Sequence, residues 1–218
     1  MKRRRYLTAS LGLTVPIVGS SGTAATTRRT ANTQSEDEPD PLTVGGTGAT
    51  VTDEFELEGG VTIAEAVHDG EVNFIVELIP TDNGYEELLI NAIGEYDGAS
   101  GVLAEQGTYL LDIDADGEWE IEIRQPRSTA DEADSLPVEL EGEGSTWDGP
   151  FLFDGLGQAN GSHEGQGNFI VEILPQEDLF SELVFNELDQ FEGETTFDID
   201  GVGFVTVEAA GTWSLSME

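Results

Sequence analysis

The sequence has no cysteine, two histidines and, beyond Arg29, two basic residues. Without cysteine there is no disulfide, no thiolate metal site and no lipid-modified N-terminal cysteine. His68 and His163 have no serine or aspartate at a recognisable spacing, so nucleophilic and zinc chemistry lack their ingredients. Long apolar runs are missing too. The stretch from Leu11 to Val18, broken by Pro16, falls far short of the ~20 residues of a membrane span. All 45 acidic residues lie from Glu36 onward against Arg124 and Arg127, a net −43 for that body. Such a field repels phosphates and anionic lipid, so neither nucleic acid nor an anionic membrane surface is an expected partner.

What the sequence does have is a repeat. Asn73-Phe74-Ile75-Val76-Glu77-Leu78-Ile79-Pro80 returns as Asn168-Phe169-Ile170-Val171-Glu172-Ile173-Leu174-Pro175, a period of about 95 residues. At the same offset His68 matches His163, Tyr85 matches Phe180, Leu88 matches Leu183, Ile93 matches Leu188 and Tyr96 matches Phe191. Gly46-x-Gly48 matches Gly142-x-Gly144, and Trp119 falls on Trp213 after the loss of one residue. Each copy starts on Gly-x-Gly and ends just past a tryptophan.

Taken in order, residues 1–25 read as a targeting segment. Arg3-Arg4-Arg5-Tyr6-Leu7 resembles the twin-arginine export motif, carried by Arg3, Arg4, Tyr6 and Leu7. Residues 26–43 have no periodicity and read as a disordered linker. Residues 44–127 alternate as strands over 49–57, 61–67, 72–79, 85–90, 99–104, 107–114 and 118–124. Asp-Gly turns separate them, with Asp116-Gly117 expected to close the last hairpin through a positive φ. Residues 128–141 read as an acidic linker and 142–218 as the second copy. Seven short strands per copy mean an all-β fold, two tandem antiparallel β-sandwiches of jelly-roll-like form. In the second copy Leu156, Gln158 and Ser162, interleaved with glycines, replace Val61, Ile63 and Val67. That pattern reads as an edge strand that has lost its apolar face, either a degenerate loop or an opened ligand groove.

The pattern Gly-x-Gly, Asn-Phe-x-Val, Leu-Leu-x-Asn, Tyr-x-Gly, Gly-x-Tyr-Leu-Leu, Asp-Gly-x-Trp, Gln-Pro resembles a small repeat of exported archaeal and bacterial proteins. It is also similar in general look to pre-peptidase C-terminal β-sandwich domains. The first copy carries nearly all of it: Asn73-Phe74, Leu88 to Asn91, Tyr96 to Gly98, Gly107 to Leu111, Asp116 to Trp119 and Gln125-Pro126. The resemblance implies fold and export and supplies no catalytic residue, every shared position reading as core or turn. The one-sided acidity resembles proteins of extreme halophiles.

The candidate sites are few. Asp112-x-Asp114-x-Asp116-Gly117 begins like a calcium-binding loop, but its twelfth position is Ile123 and its flanks are strands. It reads as a solvated face, with a weak cation site as the sharper alternative. The matched His68 and His163 are either turn-bonding residues or paired ligand contacts. Asn91 and Asn186 read as turn-bonding. Asn160-Gly161-Ser162 is an N-glycosylation sequon, expected on a loop. No cofactor and no catalytic residue are expected. The sequence points to an exported, extracellular or cell-surface binding or adhesion module. Its expected partner is a cell-envelope glycan or protein. A surface-layer-associated spacer is the first alternative, a cation-dependent hydrolase the second.

Overall fold

A computed structural model of the chain describes residues 38–218 except Asn83, and these are all strand, turn and coil. The leader with Arg3, Arg4, Tyr6 and Leu7 lies outside the described residues. Alternation of apolar and acidic residues places one face of each strand on a core, as at Leu111, Ile113, Trp119, Ile121 and Ile123, all buried. The first copy comprises β1 (Leu42–Thr47), β2 (Thr50–Val51), β3 (Phe55–Leu57), β4 (Gly60–His68), β5 (Asn73–Pro80), β6 (Glu87–Ile93), β7 (Tyr96–Ala104), β8 (Gly107–Asp114) and β9 (Glu118–Arg124). The second comprises β10 (Asp134–Ser135), β11 (Val138–Glu143), β12 (Thr146–His163), β13 (Asn168–Pro175), β14 (Glu182–Leu188), β15 (Phe191–Ala209) and β16 (Thr212–Met217). The stretch 128–141 thus contains β10 and most of β11.

The pairing in the first copy is that of one long hairpin rolled up. β1 pairs with β9, β2 and β3 with β8, β4 with β7, and β5 with β6, all antiparallel. Rolling yields two packed sheets, β1-β9-β4-β7 and β2/β3-β8-β5-β6. With β2 and β3 as halves of one strand there are eight positions, the jelly-roll plan. The eighth position, missing from the seven-strand expectation, is β1. Gly45 and Gly46 interrupt its alternation, so its pattern is too weak to read. Asp116-Gly117 does not close a hairpin, because β8 and β9 belong to different sheets. Gly117 has no positive φ there. A Cβ on it would instead sit 2.7 Å from the Cα of Gly70, so it is the close approach of two arches that demands glycine.

The second copy repeats this plan with both corners shortened by one residue. In the first copy Glu58-Gly59 and Glu105-Gln106 break the strands where the chain passes between sheets. In the second, Gly155 (φ 78°) and Gly201 (φ 90°) carry it round without a break, and Asp154 pairs with Asp200. Hence β12 and β15 run 18 and 19 residues, and both sheets are continuous at that corner. β12 is not an edge strand or a loop. Its second half lies between β16 and β15. Its glycines leave room for rings, since a Cβ on Gly161 would sit 2.8 Å from Phe185.

Each copy has its own core, around Phe74, Leu78 and Leu111 in one and Phe153, Phe169 and Phe197 in the other. A third cluster joins them: Val61, Ile63 and Ala99 from the first copy, Leu174 and Phe204 from the second. Val61 and Ile63 lie on the outer face of their sheet, 3% and 0% exposed, because the second copy covers them. The equivalent Leu156 in the second copy is 76% exposed, its outer face left bare among the described residues. This, not decay of a strand, explains the polar replacements there. Polar bonds line the junction. Trp147 Nε1 donates to Glu65 (2.7 Å), which lies 3.8 Å from Arg124, and Ala99 N donates to Ser145 O (3.2 Å). Gln176 clamps the backbone of Ser128 at both its N–H and its carbonyl.

Candidate functional site

The two histidines lie at one corner of each sandwich, on the last residue of β4 and of β12. His68 is 4% exposed and stacks on Phe74 with ring centres 4.5 Å apart; His163 stacks likewise on Phe169 at 5.3 Å. Gly117 N donates to Nε2 of His68 (3.3 Å), which leaves Nδ1 to donate to Gly94 O (2.9 Å). In the second copy Nδ1 of His163 bonds Asp189 O at 2.6 Å, and its buried Nε2 has no partner. Gly94 and Asp189 both have positive φ, so the histidine in each copy fastens a left-handed turn. Buried and bonded in this way, each histidine holds a turn.

Tryptophan and Gly-x-Gly form a second matched fastening. The indole N–H of Trp119 donates to Gly48 O and that of Trp213 to Gly144 O, each at 2.9 Å. A Cβ on Gly46 or Gly142 would lie 2.6 Å from the indole, so the first glycine of the motif makes space and the second accepts the bond. Gln125 of the closing Gln-Pro is buried and ties a corner, accepting from Glu58 N (2.9 Å) and donating to Gly59 O (3.1 Å).

The three aspartates have different surroundings. Asp116 accepts from Val72 N (3.0 Å) and Glu71 N (3.1 Å) and lies 3.6 Å from His68, so it caps the arch after β4. These backbone donors, Val72 foremost, hold its pKa below the usual carboxylate value. Asp112 and Asp114 stand on the outer face of β8, opposite Glu77 and Ile75. Among the described residues no three His, Asp or Glu side chains converge as metal ligands. Asn91 and Asn186 are exposed in mid-strand, on β6 and β14, away from any turn. Asn160 is exposed on the outer face of β12, and the sequon's Ser162 hydroxyl bonds Ser214 at 2.8 Å.

What the sequence reading missed is a matched apolar surface. Tyr85 and Phe180 are 90% and 82% exposed, Ile93 and Leu188 81% and 68%, and Leu88 and Leu183 are also exposed. They belong to neither core nor turn contacts. They lie on or beside β6 and β14, each of which pairs with a single neighbour and so forms a free sheet edge. A bulge recurs there, between Val76 and Glu77 and between Val171 and Glu172. The repeat contained the signal, but only burial distinguishes an exposed matched residue from a core one. An open hollow of about 550 Å³ also lies beside the second copy's corner, lined by Leu136, Asp154, Leu156 and Glu218 among others. No known protein family matches this chain, and no curated protein matches it at a significant level.

Proposed function

We propose that the protein is an exported module of the cell envelope that works by binding and not by catalysis, with another envelope protein as its partner. The observation that supports this is the apolar set on β6 and β14. Where the two copies differ in environment, their residues differ, as at Ile63 and Gln158; where both are exposed, Tyr85/Phe180, Leu88/Leu183 and Ile93/Leu188 stay apolar. Two like patches on one chain make a bivalent surface, whose avidity exceeds that of either alone. The twin-arginine-like leader and the resemblance to exported repeats supply the location.

A second reading, a surface glycan as ligand, has its own support. The outer face around Asn160 offers the hydroxyls of Ser162, Ser214 and Ser216 and the amide of Gln158, flanked by Glu194. Amides and hydroxyls both donate and accept, as sugars do. The same exposure makes Asn160 the proposed acceptor should the exported chain be glycosylated.

The test is retention on washed envelopes in molar salt. Leu88→Lys together with Leu183→Lys should release the protein while periodate oxidation of envelope sugars leaves retention intact. Release by periodate alone would favour the glycan reading. A chain that stays in the cytoplasm when cells are fractionated would overturn both.

A further inference from the structure

We infer that the junction between the copies is a head-to-tail coupling which this chain terminates at both ends, so that it works as a closed pair and not as a link in a fibre. The junction joins two different surfaces, the outer face of β4 and β7 in the first copy and the outer face of β13 and β15 in the second. A coupling of unlike faces does not close on itself. Each copy owns both faces, so repetition would add a third unit at either end without limit.

Both free faces are altered against that addition. On the donor face, Gly101 lies in the junction, and a Cβ there would come within 2.6 Å of Ile63 beside it and within 2.9 Å of both Leu174 and Thr206 across it. The second copy has Thr196 at that position, with Glu194 in place of Ala99, Asp198 in place of Leu103 and Gln158 in place of Ile63. All three β15 residues are exposed. On the acceptor face, the first copy has Val51 where the second has Trp147, Leu110 for Phe204, Thr108 for Val202 and Asp112 for Thr206. Asp112 stands opposite Glu77 on the neighbouring strand. Docking would therefore press a β-branched side chain into a glycine's space and bury carboxylates with no cation to pair them. Terminal units of stacked repeats characteristically carry a polar outer face, as the donor face does here.

Light scattering on the full chain in molar NaCl tests this with two sets of substitutions on the outer faces. The first restores the donor face: Gln158→Ile, Glu194→Ala, Thr196→Gly and Asp198→Leu. The second restores the acceptor face: Val51→Trp, Thr108→Val, Leu110→Phe and Asp112→Thr. The wild type and each variant alone should have the mass of one chain, an equal mixture should double it, and both sets in one chain should give a mass that rises with concentration. Concentration-dependent growth of the wild type, or of one variant alone, would overturn the inference, as would folded variants that mix without a change in mass. Gly101→Thr supplies an independent check, because it puts the terminating residue into the existing junction. Amide exchange at Ala99, bonded to Ser145 across that junction, should speed up at least tenfold; unchanged protection would count against the inference.

Discussion

The two copies share a fold, a core and both aromatic fastenings, yet they differ wherever a face is covered in one and bare in the other. Val61 and Ile63 are covered and apolar; Leu156 and Gln158 face outward, the latter now polar. The corner around His68 has Asp116 and a partner for each ring nitrogen, Gly117 N–H donating to one and Gly94 O accepting from the other, while Ala210 stands near His163 and leaves one nitrogen unbonded. Both described basic residues, Arg124 and Arg127, belong to the first copy, pairing with Glu65, Glu122 and Glu58. Where burial differs between equivalent positions, the residues differ with it.

Salt should expose this asymmetry most strongly. At ~0.01 M salt the screening length is ~30 Å and at 1 M it is ~3 Å, so repulsion within a −43 body ranges from global to nearest-neighbour. A small core leaves about 5 kcal/mol of stability, which unscreened repulsion can exceed. Folding should be cooperative in molar NaCl and lost below roughly 0.2 M. The second copy, without a cation of its own, should lose Trp213 burial at higher salt than the first loses Trp119. Fluorescence of single-tryptophan variants titrated with NaCl measures both midpoints; coincident midpoints that ignore salt would mean that packing alone sets stability.

Next in size is the exchange of one pair of equivalent residues. Ile63→Gln should cost about 3 kcal/mol, from lost apolar burial plus an amide without partners. The reverse change, Gln158→Ile, should stay within about 0.5 kcal/mol because the half-buried side chain packs under no second copy and gives up only an exposed bond to Glu194. Chemical denaturation in high salt distinguishes the two. Equal effects would mean that the copies do not cover one another in solution.

Smaller differences are expected at the histidine corners. His68→Phe removes two hydrogen bonds and should cost about 2 kcal/mol, whereas His163→Phe removes one and also a buried unpartnered nitrogen, costing about 1 kcal/mol or less. Thermal melts of the two variants rank them. The smallest effect is that of pH on the arch after β4. The carboxyl of Asp116 has a lowered pKa in the fold, so its contribution is present above the ordinary aspartate range and is lost as pH falls through the lowered value. Exchange of the Glu71 and Val72 amides should accelerate in acid, with no counterpart at the arch near Ala210. At low salt, acid should meanwhile help the rest of the fold by neutralising like charges.

Much of this fold was legible from residues alone. Alternation at Trp119, Ile121 and Ile123 marked strands because one sheet face must be dry, and the recurrence of Asn73-Phe74 at Asn168-Phe169 marked two copies. β1 was hidden by Gly45 and Gly46, which have no side chain to alternate. Asp116-Gly117 suggested a hairpin because turn chemistry is local, whereas its arch between sheets is a choice made by long-range pairing.

The sequence by itself determined the all-β class, the twofold repetition and the acidic surface, since period, turn residues and charge are properties of neighbours along the chain. Only the tertiary structure decided which matched residues are buried and which are bare. His68, Phe74 and Tyr85 have equally clear counterparts in the repeat, yet one fastens a turn, one fills a core and one faces solvent. Burial depends on what packs against a face from far along the chain, and the spacing of residues contains no record of that.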